Sequence, residues 1–302
     1  MSGPPETPAG RERVGYLGPA GTFSEEALLA DAAPGAVEPV ALASIYDTVT
    51  ALREGRVRWA IVPIENSLEG SINVTLDLLA GEAGDVRIVG ETLLRVRHSL
   101  IAAGDVAPAE IDTVLTHPQV PGQCTRFLRG ELARARVLPA SSTAEAVRIV
   151  VADGRRAQAA IGTELAARIY GGTIVRAGVE DREDNETRFV WLARGRTDTP
   201  PLRPVEGGEW KTSLVFWGAG AERAGWLVRC LDEFARRGIN LTKIESRPRR
   251  EGLGSYMFFV EAAGREQDPQ VAQAIAGVGG QCEEVRVLGS YRAAAEPARE
   301  RV

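Results

Sequence analysis

From Val14 onward the chain alternates short, strongly apolar runs with segments of helical periodicity, and that alternation confines it to an α/β sheet architecture. Val14-Gly15-Tyr16-Leu17 reads as a strand, Gly18-Pro19-Ala20-Gly21 as a turn, and Thr22 with Glu25 as a capping box that opens a helix. Ser44 with Asp47 opens a second helix, which stops at Gly55. Arg58 to Ile64 reads as a buried strand running into the loop Glu65-Asn66-Ser67, and Ser71 to Ala80 as a helix. The unit recurs: Ser142 with Glu145 caps a helix through Val151, Ala157 to Gly162 is a strand, and the helix from Thr163 closes on Gly171-Gly172. Strand, sharp turn and helix at both Trp59 to Ala80 and Ala157 to Tyr170 predict two like lobes with a cleft between them, the default place for a small-molecule site.

Pro200, Pro201 and Pro204 mark Thr197 to Gly208 as a linker, and beyond it the order changes. A strand at Thr212 to Trp217 precedes a helix near Ala224 to Arg237, whose Leu227, Cys230, Leu231 and Phe234 keep helical spacing. Strands at Ile239 to Ser246 and Ser255 to Ala262, a helix at Pro269 to Val278 and a strand at Val285 to Leu288 complete a ferredoxin-like βαββαβ unit. The expected organisation is a disordered tail over 1–13, a two-lobed domain over 14–195, a linker over 196–210, the βαββαβ domain over 211–291 and a tail over 292–302.

Composition excludes several function classes. Thirty-six basic against 41 acidic residues give a formal charge of −5, without the basic stripe of a nucleic-acid binder. The basic residues are almost all arginine; Lys211 and Lys243 are the two lysines. Three widely spaced cysteines fit buried thiols in a reducing compartment. Met1 to Arg13 lacks the apolar core of a signal peptide, and no run approaches the roughly 18 apolar residues of a membrane span. A soluble cytoplasmic protein is expected. His98 and His117 have no second ligand at metal spacing, and no Walker loop or strand-linked G-x-G-x-x-G occurs, so neither metal nor cofactor is expected.

Three polar clusters remain, each beside a strand. Gly21-Thr22-Phe23-Ser24 sits at a helix start, where free amides favour an anion, although the pattern alone favours plain capping by Thr22. Glu65-Asn66-Ser67 closes an apolar strand. Asp184 to Phe189 leads into Val190-Trp191-Leu192, with an exposed acidic loop as the bland reading and a surface ion-pair partner as the bland reading of Arg188. Together they outline a cleft of hydroxyls, helix-start amides and an arginine, suited to a small organic acid.

These runs resemble prephenate dehydratase along essentially the whole chain. Gly15-Tyr16-Leu17-Gly18-Pro19-Ala20-Gly21-Thr22-Phe23-Ser24 looks like that family's opening, and Val62 to Ser67 with Gly70-Ser71 like its second motif. His117-Pro118-Gln119 with Gln123-Cys124, Ser142-Thr143-Ala144 and Ala159-Ala160-Ile161 follow in order, then Asn185-Glu186-Thr187-Arg188-Phe189. Gly238 to Pro248 looks like an ACT regulatory domain.

The resemblance implies a periplasmic-binding-protein-like catalytic domain that converts prephenate to phenylpyruvate, water and carbon dioxide in phenylalanine biosynthesis, without a cofactor. It gives Thr187 the catalytic role, donating to the leaving hydroxyl. Arg188 is expected to hold a substrate carboxylate and Thr22 the other. Glu65, Asn66 and Ser67 are expected to line the cleft, Glu65 near the hydroxyl, with Phe189 as a wall. Phenylalanine would bind the ACT domain through Gly225, Trp226, Leu227, Asn240, Leu241, Glu245, Ser246, Arg247 and Pro248, at a subunit interface, in a homodimer or homotetramer. Here the family's Gly-Ala-Leu run is Gly225-Trp226-Leu227, and the indole either crowds the effector pocket or points outward. With thirteen residues before Val14 there is no room for a chorismate mutase domain, so a monofunctional enzyme is expected. Arogenate dehydratase, or a non-catalytic sensor of small acids, are the rival readings.

Overall fold

The structure is a computed structural model that describes residues 10–195, 200–203, 208–218, 220 and 223–294. Residues 196–199 and 204–207 of the expected linker, and 1–9 and 295–302 of the expected tails, lie outside the described residues.

The first lobe runs β1 (Glu12–Leu17), α1 (Phe23–Asp31), β2 (Val37–Leu42), α2 (Ile45–Arg53), β3 (Trp59–Asn66), β4 (Gly70–Ser71), α3 (Asn73–Ala80) and β5 (Val86–Arg95). The second holds β6 (Ser99–Ala102), β7 (Thr113–Thr116), α4 (Val120–Gln123), α5 (Thr125–Gly130), β8 (Arg136–Pro139), α6 (Thr143–Asp153), β9 (Gln158–Gly162), α7 (Glu164–Tyr170) and β10 (Thr173–Ala177). β11 (Glu186–Arg194) returns to the first lobe, so the chain crosses between lobes twice, after β5 and before β11. The last unit is β12 (Trp210–Trp217), α8 (Trp226–Ala235), β13 (Leu241–Pro248), β14 (Tyr256–Ala263), α9 (Pro269–Gly279) and β15 (Glu284–Arg292), the expected βαββαβ order. The whole is α/β: two lobes followed by a ferredoxin-like unit.

Local chemistry explains three of the helix starts. Ser44, Ser142 and Thr163 each accept a backbone N–H two or three residues into the helices they open, at 3.0, 3.0 and 2.9 Å. Thr22 departs from its expected capping role. Its hydroxyl turns back to donate to the Leu17 carbonyl at 2.8 Å, and the Glu25 carboxylate instead takes the Gly21 amide at 2.5 Å. α3 also starts later than the sequence suggests, at Asn73, because Gly70 and Ser71 pair with Asn66 and Glu65 as β4.

The second lobe has its own sheet, in the order β10-β6-β9-β7-β8. The first lobe and the βαββαβ unit share one, β13-β14-β12-β15-β5-β11-β3-β1-β2 with β4 beside β3. The junction is a single parallel register pair, Gly289 with Ile88, and only glycine fits there: a Cβ on residue 289 would lie 2.1 Å from the Ile88 carbonyl oxygen. One face of the terminal sheet packs on α8 and α9 around Phe216, Trp226, Phe234 and Val260. The other, through Val215, Trp217, Met257, Phe259 and Leu288, merges with Val62, Ile64 and Leu76 of the first lobe into a common core. Burying apolar area across this seam, at about 25 cal/mol per Å², makes the two units one packed body.

Candidate active site

A cleft of about 700 Å³ lies between the lobes. Its walls are the turn Leu17 to Pro19 and the start of α1 on one side, His117, Gln123 and the start of α6 on the other, and β11 at its base. A strand's two-residue alternation decides what β11 presents. Thr187 and Phe189 face the cleft, and Arg188 faces away from it.

Asn66, at the end of β3, fixes the hydroxyl of Thr187. The Asn66 Oδ1 accepts the amides of Leu68 and Glu69 at 2.9 and 3.0 Å, which orients its amide group unambiguously. Its Nδ2 then donates to Thr187 Oγ1 at 2.9 Å and to Asn185 Oδ1 at 2.8 Å. Because the Asn66 amide donates, Thr187 Oγ accepts, and its own hydrogen is free to be given to a ligand. The line continues across the lobes: Asn185 Nδ2 donates to Gln123 Oε1 at 3.2 Å, and His98 Nε2 lies 3.0 Å from the same oxygen. An amide oxygen only accepts, so His98 carries its proton on Nε2. Burial holds its pKa below the ordinary histidine value, against the raising pull of Gln123 and Glu180, and the imidazole is neutral.

The structure separates the expected site residues into two groups. Thr187, Asn66, Phe189 and Thr22 are at the cleft, Thr22 with its hydroxyl already spent on Leu17. Ser67 is not: its Oγ accepts the Glu186 amide at 3.0 Å and joins β3 to β11. Arg188 is corrected outright. Its guanidinium donates to both Glu261 oxygens at 2.9 and 2.6 Å, to Glu91 at 3.1 Å and to Glu65 at 2.9 Å, and it is 8% exposed. A substrate in the cleft cannot reach it. Glu65 goes with it, to Arg188 and to Lys243 at 3.1 Å, away from any substrate hydroxyl. The cause is parity: Glu65 precedes Asn66 and Arg188 follows Thr187, so each takes the opposite face of its strand.

The expected effector residues divide in the same way. Glu245 accepts from Ser71, and Arg247 pairs with both Asp77 oxygens at 3.0 and 2.9 Å, so both face the first lobe. Ser246 and Pro248, between and beyond them, are exposed with Asn240. Gly225 takes a left-handed conformation, φ +77°, at the start of α8, with Leu227 half-buried just inside it. Trp226 does not point outward. It is buried against Phe216 and Phe258 and donates its indole N–H to the Gln281 carbonyl at 2.7 Å. Leu241 packs partly into the same core.

Sequence reasoning gave no part in the site to Asn185, Gln123, His98 or the Ser141-Ser142-Thr143 run, all at the cleft or in its hydrogen-bond line. Asn185, Gln123 and Ser142-Thr143 stood inside recognised motifs, which was their signal. His98 had none, because it stands outside the recognised motifs and has no partner at metal-ligand spacing.

Fold and site together define a two-lobed α/β protein with a polar-lined cleft between its lobes and a ferredoxin-like domain seated against its first lobe. The chain belongs to the prephenate dehydratase family: that family's profile matches residues 14–197, and an ACT-domain profile matches residues 221–280. It is similar to the prephenate dehydratase of Amycolatopsis methanolica, 38% identical over 280 residues covering 92% of this chain and 88% of that one. It is 40% identical to the one of Mycolicibacterium smegmatis over 290 residues, 92% and 90% of the two chains. Among solved structures, the prephenate dehydratase of Arthrobacter aurescens in complex with L-Phe superposes with a TM-score of 0.81 at 34% identity, covering 93% of this chain and 89% of that one. A chain described as GqqA, a novel type of quorum quenching acylase, reaches the same TM-score at 28% identity, covering 93% and 98%.

Proposed function

We propose that the chain converts prephenate to phenylpyruvate, water and carbon dioxide, and that L-phenylalanine regulates it through the ACT domain. The reaction breaks the bond between the ring and its carboxylate. The released electron pair passes through the ring, aromatises it and expels the hydroxyl from the opposite carbon. Hydroxide is a poor leaving group, so a donor at that oxygen is the main requirement, and general acid help is typically worth 10²–10⁴-fold. Thr187 meets it: the Asn66 amide occupies its oxygen as donor and leaves its hydrogen for the leaving group. That orientation is the observation that carries the reading.

Prephenate has two carboxylates, and the starts of α1 and α6 line the cleft from opposite lobes. The α6 start, with Ser141 and Thr143, takes the side-chain carboxylate that survives. The α1 start lies beside Phe23 and Phe189 and takes the ring carboxylate that departs, since weak solvation there favours neutral carbon dioxide over the anion. None of these steps uses Arg188.

Phenylalanine regulation is supported by the ACT match and by the ligand in the Arthrobacter aurescens structure. Ser246 on the edge strand β13 and Asn240 just before it, both exposed, fit an effector site completed by a second copy, in a homodimer or homotetramer. The test is turnover of prephenate and arogenate side by side. Prephenate is expected to give phenylpyruvate, and Thr187→Val to lose about 10²–10⁴-fold in kcat. Near-normal turnover in Thr187→Val would overturn the role of Thr187, and turnover of arogenate alone would replace the substrate.

A further inference from the structure

The Arg188 cluster is larger than one ion pair. Three cations, Arg188, Lys211 and Lys243, interleave with Glu65, Glu91 and Glu261 along the seam between the first lobe and the ACT domain. Lys211 Nζ is 3.1 Å from both Glu91 oxygens and 3.5 Å from Glu261, and Lys243 Nζ is 3.1 Å from Glu65 and 3.6 Å from Glu245. Glu91, Glu261 and Arg188 are each under 10% exposed. In a chain of 36 basic residues, both lysines stand here. A buried ion cluster is a poor source of stability, because desolvation offsets most of the attraction, but it is stringent about geometry.

What it joins matters more than what it weighs. Arg188 is the residue after Thr187 on β11, while Glu261 is on β14, Lys211 on β12 and Lys243 on β13. β13 is also the strand of the expected effector motif, and its alternation sets Ser246 and Ile244 to the open side, with Lys243, Glu245 and Arg247 to the first lobe. Anything that displaces β13 from its open side therefore moves the charges on its other side, and these reach β11 through Glu65 and Arg188. Charge–charge geometry at about 3 Å in a low-dielectric seam responds steeply to such a shift.

We propose that Arg188 is a positioning residue for Thr187, held in place by the ACT domain through Glu261 and Lys243, and that this seam is where phenylalanine binding is read by the catalytic strand. The regulatory half rests on the phenylalanine reading above; the positioning half does not.

The test uses the full-length protein with Glu261→Gln, Lys243→Met and Lys243→Arg. Glu261→Gln and Lys243→Met are expected to lower kcat for prephenate about tenfold with KM changed less than about twofold, and to raise the phenylalanine concentration for half-inhibition about tenfold, within the 5–150-fold range of ordinary coupling. Calorimetry is expected to show phenylalanine still binding, and Lys243→Arg to restore both kinetic values. Amide hydrogen exchange over 186–190, which needs no substrate, is expected to quicken in both charge-removing variants. Lys243→Met, whose partner Glu65 is partly solvated, serves if Glu261→Gln does not fold. Unchanged kcat, inhibition and exchange would overturn the proposal. So would lost phenylalanine binding, which would put these residues in the effector pocket, or a loss carried by KM alone, which would return Arg188 to the substrate. A parent chain inert toward prephenate would sink the proposed function, and the exchange rates would still decide the positioning role.

Discussion

At the scale of single residues, the direction of one hydrogen bond decides the chemistry. Asn66 is held as a donor to Thr187 because two backbone amides claim its oxygen. Asn66→Asp changes the shape little and reverses that direction, since a carboxylate accepts from Thr187 and removes the proton the leaving hydroxyl needs. Its kcat is expected to fall about as far as that of Thr187→Val, about 10²-fold or more, with KM changed far less. Steady-state phenylpyruvate formation checks this, and a full-speed Asn66→Asp would show that the orientation is irrelevant. Which residues are polar and close in sequence was legible from the motifs. Which of two neighbours faces the cleft was not, because a one-residue shift in strand register exchanges the faces, and register belongs to the folded sheet. Arg188 and Glu65 were misplaced for that reason.

Between elements, two contacts carry consequences for stability. α7 begins against the turn that opens the first lobe: Thr163 Oγ1 donates to the Gly21 carbonyl at 2.6 Å, and Tyr170 to that of Ala20 at 2.8 Å. In the same contact Glu26 accepts the Leu165 amide, and burial lifts its pKa from 4.5 to about 6. Below pH 4.5 the group is neutral whether the chain is folded or not, and it contributes nothing. Between 4.5 and about 6 only the folded chain keeps the proton, so stability falls as pH rises. Above about 6 the full cost, on the order of 2 kcal/mol, is present. Glu26→Gln is expected to flatten that slope in thermal unfolding followed from pH 4 to 7; an unchanged slope would remove Glu26 from the account. The other contact is β15 on β5. A methyl at Gly289 meets the Ile88 carbonyl, so Gly289→Ala is expected to cost about 1–3 kcal/mol in denaturant unfolding, and a neutral substitution would show that the junction is loose. The capped helices and the βαββαβ order were readable because they depend on neighbours in sequence. Thr22 was misread as a cap because its alternative partner, the Leu17 carbonyl, is brought near only by the turn.

For the whole molecule, the first lobe and the ACT domain share a sheet, a hydrophobic core and a buried ion seam. They are therefore expected to unfold together, giving one calorimetric transition whose calorimetric and van't Hoff enthalpies agree for that unit; two separated transitions, one for each, would contradict the shared core. Sequence alone determined the order of elements, the two-lobed plan, the change of architecture after the proline-rich segment and the family, because these follow from periodicity and short motifs along the chain. Only the tertiary structure decided that the regulatory sheet continues into the catalytic one, that Trp226 turns into the core, and that Arg188 serves the seam while Thr187 serves the cleft. Those outcomes depend on pairings between residues distant in the chain, such as 188 with 261 and 88 with 289, and the alternating faces of a strand have no assigned direction until such pairs form.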